Sequence, residues 1–275
     1  MAIEITVGLP IYRAQNIAWL ALESLCRQKM INFDWELLIA EEESDPESEH
    51  FAVGFAGIKK FIPSLKKNGC KRIEYYNLEK WEPLSLKWYR LIKESSSTKA
   101  FLLQAADCYA QPFRLRETLD LFLENENLDW LQSKEGFFYD ILTEKLVLYD
   151  HDKRPKNRKN LIHPCALNMA IKTDLFKRLS PFSKKRSVDG ALFEALSKIK
   201  KKPLCVGWNN SPNWKNGLDT SGLNNLSVGR VDKILHSIPP YFSTNEKAEE
   251  YIPSDILNKL VEAKKYVKNN RYIST

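Results

Sequence analysis

Over its first 125 residues the chain alternates short apolar runs with segments of helical periodicity, and that alternation confines it to an α/β fold on a parallel sheet. Residues 3–9, IEITVGL, are apolar almost throughout, as suits a strand covered on both faces, and Pro10 bounds the run. A helix is predicted from Asn16, with Ile17, Leu20, Ala21, Ser24 and Leu25 on one stripe. Residues 36–40 predict a second strand that runs out into Glu41, Glu42, Glu43, Ser44 and Asp45. A helix over 51–68 ending near Gly69, a strand over 71–76, a helix over 84–93 and a strand over 100–104 complete the pattern. Parallel strands joined this way need right-handed crossovers.

The second half is less regular. Pro112 opens a helix whose stripe is Leu115, Leu119 and Phe122. Residues 129–149 predict a β-hairpin with 129–132 and 145–149 as its arms. Residues 151–160, HDKRPKNRKN, are polar and basic and predict a mobile loop. An apolar strand is predicted over 166–171, helices over 173–180 and 189–199, and a loop over the Asn-, Gly-, Ser- and Trp-rich stretch 208–230. Residues 254–268 predict an amphipathic helix. The organisation is one α/β domain over 1–235, divided into halves at 125/126, with a helical extension over 236–275.

Composition narrows the class. A chain of 275 residues with 43% hydrophobic residues can bury one large core. No apolar run approaches the ~18 residues of a membrane span, and MAIEITVGLP has the pattern of a strand rather than of a signal peptide. Cys26, Cys70, Cys108, Cys165 and Cys205 are scattered, which predicts reduced thiols and a cytoplasmic setting and supports no zinc site. The net charge of +7 suits polyanionic partners, or merely solubility maintained with lysine.

Ligands of an open parallel sheet bind beyond the carboxyl ends of its strands. The residues that matter there are Pro10, Tyr12 and Arg13 after the first strand, Glu41 and Glu42 after the second, and Ala106 and Asp107 after the fourth. Together they offer an aromatic face for a base, carboxylates for base N–H groups or ribose hydroxyls, and one carboxylate for a divalent cation. Mn²⁺ and Mg²⁺ prefer such oxygen ligands and offset diphosphate charge. A nucleotidyltransferase would want a glycine-rich phosphate loop after the first strand, and Pro10, Ile11 and Tyr12 do not supply one.

Taken in order, several segments resemble the family 2 nucleotide-sugar glycosyltransferases over roughly residues 3–200. Gly8, Leu9, Pro10, Ile11, Tyr12 and Arg13 are similar to the family's opening turn, and Ser24, Leu25 and Gln28 to its Ser-Leu-x-x-Gln helix end. The acidic stretch from Glu41 matches the end of its second strand. Gln104, Ala105, Ala106 and Asp107, followed by Pro112, Phe113, Arg114 and Leu115, match its metal motif and the Pro-x-Arg-Leu turn. Ser187, Val188 and Asp189 stand where the family places a catalytic carboxylate at a helix start. Here only the last acid of the metal motif is kept, and Val188 replaces a glutamate.

The resemblance implies a GT-A (Rossmann-like) α/β fold with a mostly parallel sheet flanked by helices, a β-hairpin insertion and a C-terminal helical extension. It implies an inverting transfer from a nucleotide diphosphate sugar, a UDP-sugar first, to a hydroxyl acceptor. Asp107 would hold Mn²⁺ or Mg²⁺, Lys87 would face the diphosphate, and Asp189 would be the general base. The acceptor is either a glycan or a hydroxymethylated base in DNA. For DNA, Arg154, Arg158, Lys185 and Arg186 would meet phosphates, and Trp208 or Trp214 would receive a base turned out of the duplex. The alternative is a non-catalytic relative that binds a nucleotide sugar or nucleic acid without turnover. The sequence leaves the oligomeric state open.

Overall fold

The computed structural model describes residues 2–47, 50–126, 128–133, 135–140, 144–150, 169–181, 192, 195, 198, 199, 217–220, 225–229, 242–243 and 247–269. The chain as far as residue 103 holds four strands: β1 (Ile5–Ile11), β2 (Trp35–Glu42), β3 (Cys70–Leu78) and β4 (Ala100–Leu103). Between them lie α1 (Ala18–Cys26), α2 (Gly54–Lys59), α3 (Ile62–Lys67) and α4 (Leu84–Glu94). After β4 come β5 (Cys108–Ala110), α5 (Arg114–Glu124), β6 (Trp130–Ser133), β7 (Glu135–Asp140) and β8 (Lys145–Asp150). Next are β9 (Met169–Lys172), α6 (Thr173–Lys177), β10 (Gly217–Thr220), β11 (Asn225–Gly229), β12 (Phe242–Ser243) and α7 (Ser254–Asn269).

Two sheets result. The main one has the order β10-β6-β9-β4-β1-β2-β3, and the second has β12-β8-β7-β11-β5. In the main sheet only β9 runs against its neighbours, β4 and β6. Side-chain alternation sorts the core into two layers, as a period of two requires. Leu37, Ile39, Ala100 and Leu102 face one side with α1, α3 and α5, and Ile256 and Leu260 of α7 join them. Leu38, Ala40, Phe101 and Leu103 face the other side with Trp88, Leu91 and Ile92 of α4 and Phe176 of α6. The fold is therefore the GT-A-like α/β arrangement that the sequence implies.

The amino end of the sheet is closed by a buried carboxylate. Glu36 accepts from Thr6 Oγ1 at 2.5 Å, from Ser96 N–H and Oγ, each at 2.6 Å, and from Arg72 at 3.1 Å. Four donors on one buried carboxylate make this end structural and leave the opposite, carboxyl end as the place for a ligand.

Several elements differ from the sequence reading. β1 runs through Pro10 to Ile11. β4 pairs with it only as far as Gly8, so Pro10 lies where β2 is the one neighbouring strand and a missing N–H is tolerated. β2 likewise carries on through Glu41 and Glu42, because β3 pairs with it as far as Leu78. The predicted single helix over 51–68 breaks into α2 and α3, with Pro63 in the first turn of the second. Residues 130–133 do not form a hairpin arm with 145–149. They join the main sheet beside β9, and β8 pairs instead with β7, the predicted looser middle. The stretch 208–230 contains β10 and β11 rather than loop alone. Cys26, Cys70 and Cys108 are free thiols, and no described helix is long and apolar enough to cross a membrane.

Close approach of β1 and β4 makes Gly8 a packing requirement. A Cβ there would lie 2.3 Å from Cζ of Phe101, whose buried ring is wedged edge-on against Phe176 at 5.1 Å. Gly8→Ala is expected to destabilise the fold by about 1–3 kcal/mol through overpacking. Thermal unfolding checks this, and an unchanged Tm would contradict it.

Candidate functional site

The strand order fixes where a site can form. From β1 the chain moves to β2 and β3 on one side, whereas β4 lies on the other side of β1. The carboxyl ends of β1 and β4 therefore flank the topological switch point, the place at which open α/β sheets bind ligands. Tyr12 and Arg13 follow β1 on one side of it, and residues 104–107 follow β4 on the other.

The turn after β1 is held in an unusual conformation. Arg13 has φ 49°, in the left-handed region, which costs a non-glycine residue about 1 kcal/mol or more. Its N–H donates to Nδ1 of His50 at 3.1 Å. Tyr12 is half-buried, its ring 5.2 Å from that of His50 and 5.3 Å from the Arg13 guanidinium carbon. The Lys87 ammonium lies 5.0 Å from the same ring centroid, within cation–π reach.

Beneath the turn lies a buried platform of charge. Lys87 is 2% exposed and Glu42 3%, and they form an ion pair. Lys87 Nζ also donates to the carbonyl of Ile11 at 3.0 Å, which ties α4 to the end of β1. The second oxygen of Glu42 accepts from the N–H of Glu82 at 3.1 Å. Burial lowers the Lys87 pKa, and Glu42 works in the opposite direction. Glu41 is equally committed, accepting from the N–H groups of Val53 and Gly54 at 2.8 and 3.0 Å and from Tyr75 OH at 2.9 Å. Burial and the adjacent Glu41 raise the Tyr75 pKa, which keeps the phenol a donor.

Glu41, Glu42 and Lys87, expected from the sequence to meet the donor, are already engaged within the protein. Glu41 and Glu42 are the last residues of β2, and each of their four oxygens has a protein donor. Lys87 points inward rather than along a surface helix face. Pro10 is buried inside β1, so the exposed part of the turn begins at Tyr12.

After β4, Ala106 is buried and Asp107 is half-buried. Crowding by the surrounding protein raises the Asp107 pKa, partly offset by its own backbone N–H and by the Cys108 thiol, which donates to Oδ1 at 3.6 Å. Gln104 does structural work. Its amide N–H groups donate to the carbonyls of Ala105 and Cys108 at 3.2 and 2.9 Å, and its oxygen accepts from the buried Arg114 at 2.6 Å. Arg114 also holds the Leu103 carbonyl at 2.9 Å. The pair shapes the loop that presents Asp107, and the Gln104 oxygen is turned to Arg114. Among the described residues no group of three or more His, Cys, Asp or Glu is placed to share a metal ion. One carboxylate fits a cation that takes its other ligands from a diphosphate and water, as Mg²⁺ commonly does.

Asp189 and the residues named for the acceptor (Arg154, Arg158, Lys185, Arg186, Trp208 and Trp214) lie outside the described residues. Two residues stand out: His50, which sequence reasoning passes over, and Arg114, which it names only within the Pro-x-Arg-Leu turn and without a role. His50 sits in a short polar stretch with no periodicity, and only its contacts reveal it. Arg114 could have been suspected, since an arginine falling on the buried stripe of a helix must reach an acceptor.

Fold and site together define an α/β protein with a GT-A-like fold and a candidate site at the β1/β4 switch point. No protein-family model and no curated protein matches the chain. Solved structures do. Residues 1–349 of S. aureus TarS match 98% of this chain and 73% of that chain, with a TM-score of 0.55 at 13% identity. The same fragment in complex with UDP matches 70% of this chain and 55% of that one, with a TM-score of 0.50 at 14% identity. In complex with UDP-GlcNAc it matches 70% and 53%, with a TM-score of 0.51 at 13% identity. The chain thus spans little more than half the length of the TarS fragment in those two complexes. At such identities the likeness is one of fold.

Proposed function

We propose that this chain is an inverting nucleotide-sugar glycosyltransferase of the family 2 kind, with a UDP-sugar as its first candidate donor. The observation that carries the reading is the β1/β4 switch point, where half-buried Tyr12 and Arg13 follow one strand and half-buried Asp107 follows the other. That the same fold in TarS has been crystallised with UDP and with UDP-GlcNAc supports the choice of donor.

The uracil would stack on Tyr12, and the Arg13 guanidinium would meet the ribose or diphosphate. Glu41, Glu42 and Lys87 would act from beneath, by fixing the turn rather than by touching the donor. Asp107 would hold Mn²⁺ or Mg²⁺ together with the diphosphate oxygens. Bound there, the cation would supply charge stabilisation to the departing diphosphate. In the transfer, the acceptor oxygen forms a bond to the anomeric carbon as the bond from that carbon to the diphosphate oxygen breaks. The electron pair leaves with UDP, and the acceptor's proton passes to a carboxylate, for which Asp189 is the sequence candidate. The acceptor is a glycan hydroxyl or a hydroxymethylated DNA base. Steep salt dependence of duplex binding would mark the second.

Incubation with UDP-, GDP-, CMP- and dTDP-sugars, followed by assay of the released nucleotide, tests the activity. Release from one donor class, enhanced by acceptor, is expected. Binding without turnover would instead indicate the non-catalytic relative, and no binding would remove the reading. Asp107→Asn is expected to weaken Mn²⁺-dependent nucleotide binding by at least the ~10–100-fold that loss of an outer-shell partner costs a metal site. Titration with and without chelator checks this. Equal affinity of the two proteins in Mn²⁺ would take Asp107 out of the site.

A further inference from the structure

The geometry points to His50 as a positioning residue that holds the donor turn in its binding conformation through the Arg13 amide, an inference that rests on the donor reading above. His50 is fully buried and fixed at backbone and ring. Its backbone pairs with Asp45 through two hydrogen bonds, at 2.8 and 3.0 Å. Its ring bridges two strand ends: Nδ1 takes the Arg13 N–H at 3.1 Å, and Nε2 meets the Glu42 carbonyl at 3.0 Å. A carbonyl can only accept, so Nε2 carries the proton and Nδ1 is the bare nitrogen, which defines the tautomer.

The Arg13 amide is where such a latch has most effect. Arg13 is in the left-handed region, so its N–H is oriented by a conformation the residue would otherwise leave. Tyr12, immediately before it, packs its ring on the same imidazole. One buried ring thereby sets both the strained amide and the tilt of the aromatic face offered to the base. The Glu42 side is different in kind, since that carbonyl belongs to the last residue of β2, which is already held in the sheet by its pairing with Leu78 of β3. The two ring nitrogens therefore have separable roles: Nδ1 serves the ligand turn, and Nε2 serves the fold.

Two amide substitutions separate them. In His50→Asn the amide oxygen can stand in for Nδ1 and accept from Arg13, but nothing replaces Nε2. In His50→Gln the amide nitrogen can stand in for Nε2, but the acceptor for Arg13 is lost. UDP affinity by calorimetry, thermal stability and hydrogen exchange of the Arg13 amide are measured on both variants and the wild type. His50→Gln is expected to bind UDP about tenfold more weakly, the scale of one lost hydrogen bond, with faster exchange at Arg13. His50→Asn is expected to recover most of the affinity and the protection, even where its Tm is the lower of the two. Equal UDP affinity in the two variants, or affinity that simply follows Tm, would overturn the inference. Failure of the wild type to bind UDP would instead remove the donor reading, and Arg13 exchange would still decide the latch: equal protection in both variants overturns it, and loss in His50→Gln alone upholds it.

Discussion

Lys87→Met is expected to destabilise the protein by about 3–5 kcal/mol, because it leaves the Glu42 carboxylate buried without its counter-charge. The same change frees the Ile11 carbonyl at the end of β1. For a domain of this size each kcal/mol moves Tm by ~2–4 °C, so the loss is large in a thermal scan. Glu42→Ala strands the opposite charge and is expected to be comparably severe. Combining Lys87→Met with Glu42→Gln should restore much of the stability, since no net charge is then buried and the amide oxygen can still accept from the Glu82 N–H. That burial lowers the Lys87 pKa despite the neighbouring carboxylate agrees with a pair that costs desolvation energy. A single variant as stable as the wild type would contradict this account of the platform.

Asp189→Asn carries the largest expected effect on activity. The substitution keeps the size and hydrogen-bonding capacity of the side chain but removes the carboxylate that, in the proposed mechanism, would take the acceptor proton. Loss of a general base costs ~10²–10⁴-fold in rate, so turnover should fall by at least two orders of magnitude while donor affinity stays close to that of the wild type. Single-turnover assays paired with donor titration separate the two quantities. Near-native turnover would assign the base to another carboxylate.

β1, β2 and β4 were legible because strands covered on both faces read as continuous apolar runs, and IEITVGL and ELLIA are such runs. The stripes of α1 and α5 were equally plain: Leu20, Ala21, Leu25, Leu115, Leu119 and Phe122 are all buried. Pairing was harder. Nothing local to residues 130–133 says that they will lie beside β9 rather than beside β8, since an edge is chosen by tertiary packing. β10 and β11 were hidden among turn-forming residues that dominate the composition around them. In the site, the positions of Tyr12, Arg13 and Asp107 followed from strand ends alone. The burial of Glu41, Glu42 and Lys87 did not, because their partners are far along the chain. Glu42 and Lys87 are 45 residues apart, and Glu41 meets Tyr75 across 34. An acidic burst after a strand has the same sequence pattern whether it is solvated or locked beneath a turn.

The central claim is that a nucleotide binds at the β1/β4 switch point against Tyr12. Calorimetric titration of UDP into the wild-type protein and into Tyr12→Ala, both with Mn²⁺, tests it most directly. Tyr12 is half-buried just beyond the end of β1, so its truncation is expected to leave the fold intact, which Tm would verify. Base–aromatic stacking is worth ~1–3 kcal/mol by alanine substitution, so the account predicts one UDP per chain for the wild type and affinity weaker by about tenfold or more for Tyr12→Ala. No UDP binding to the wild type, or equal binding to both proteins, would contradict it.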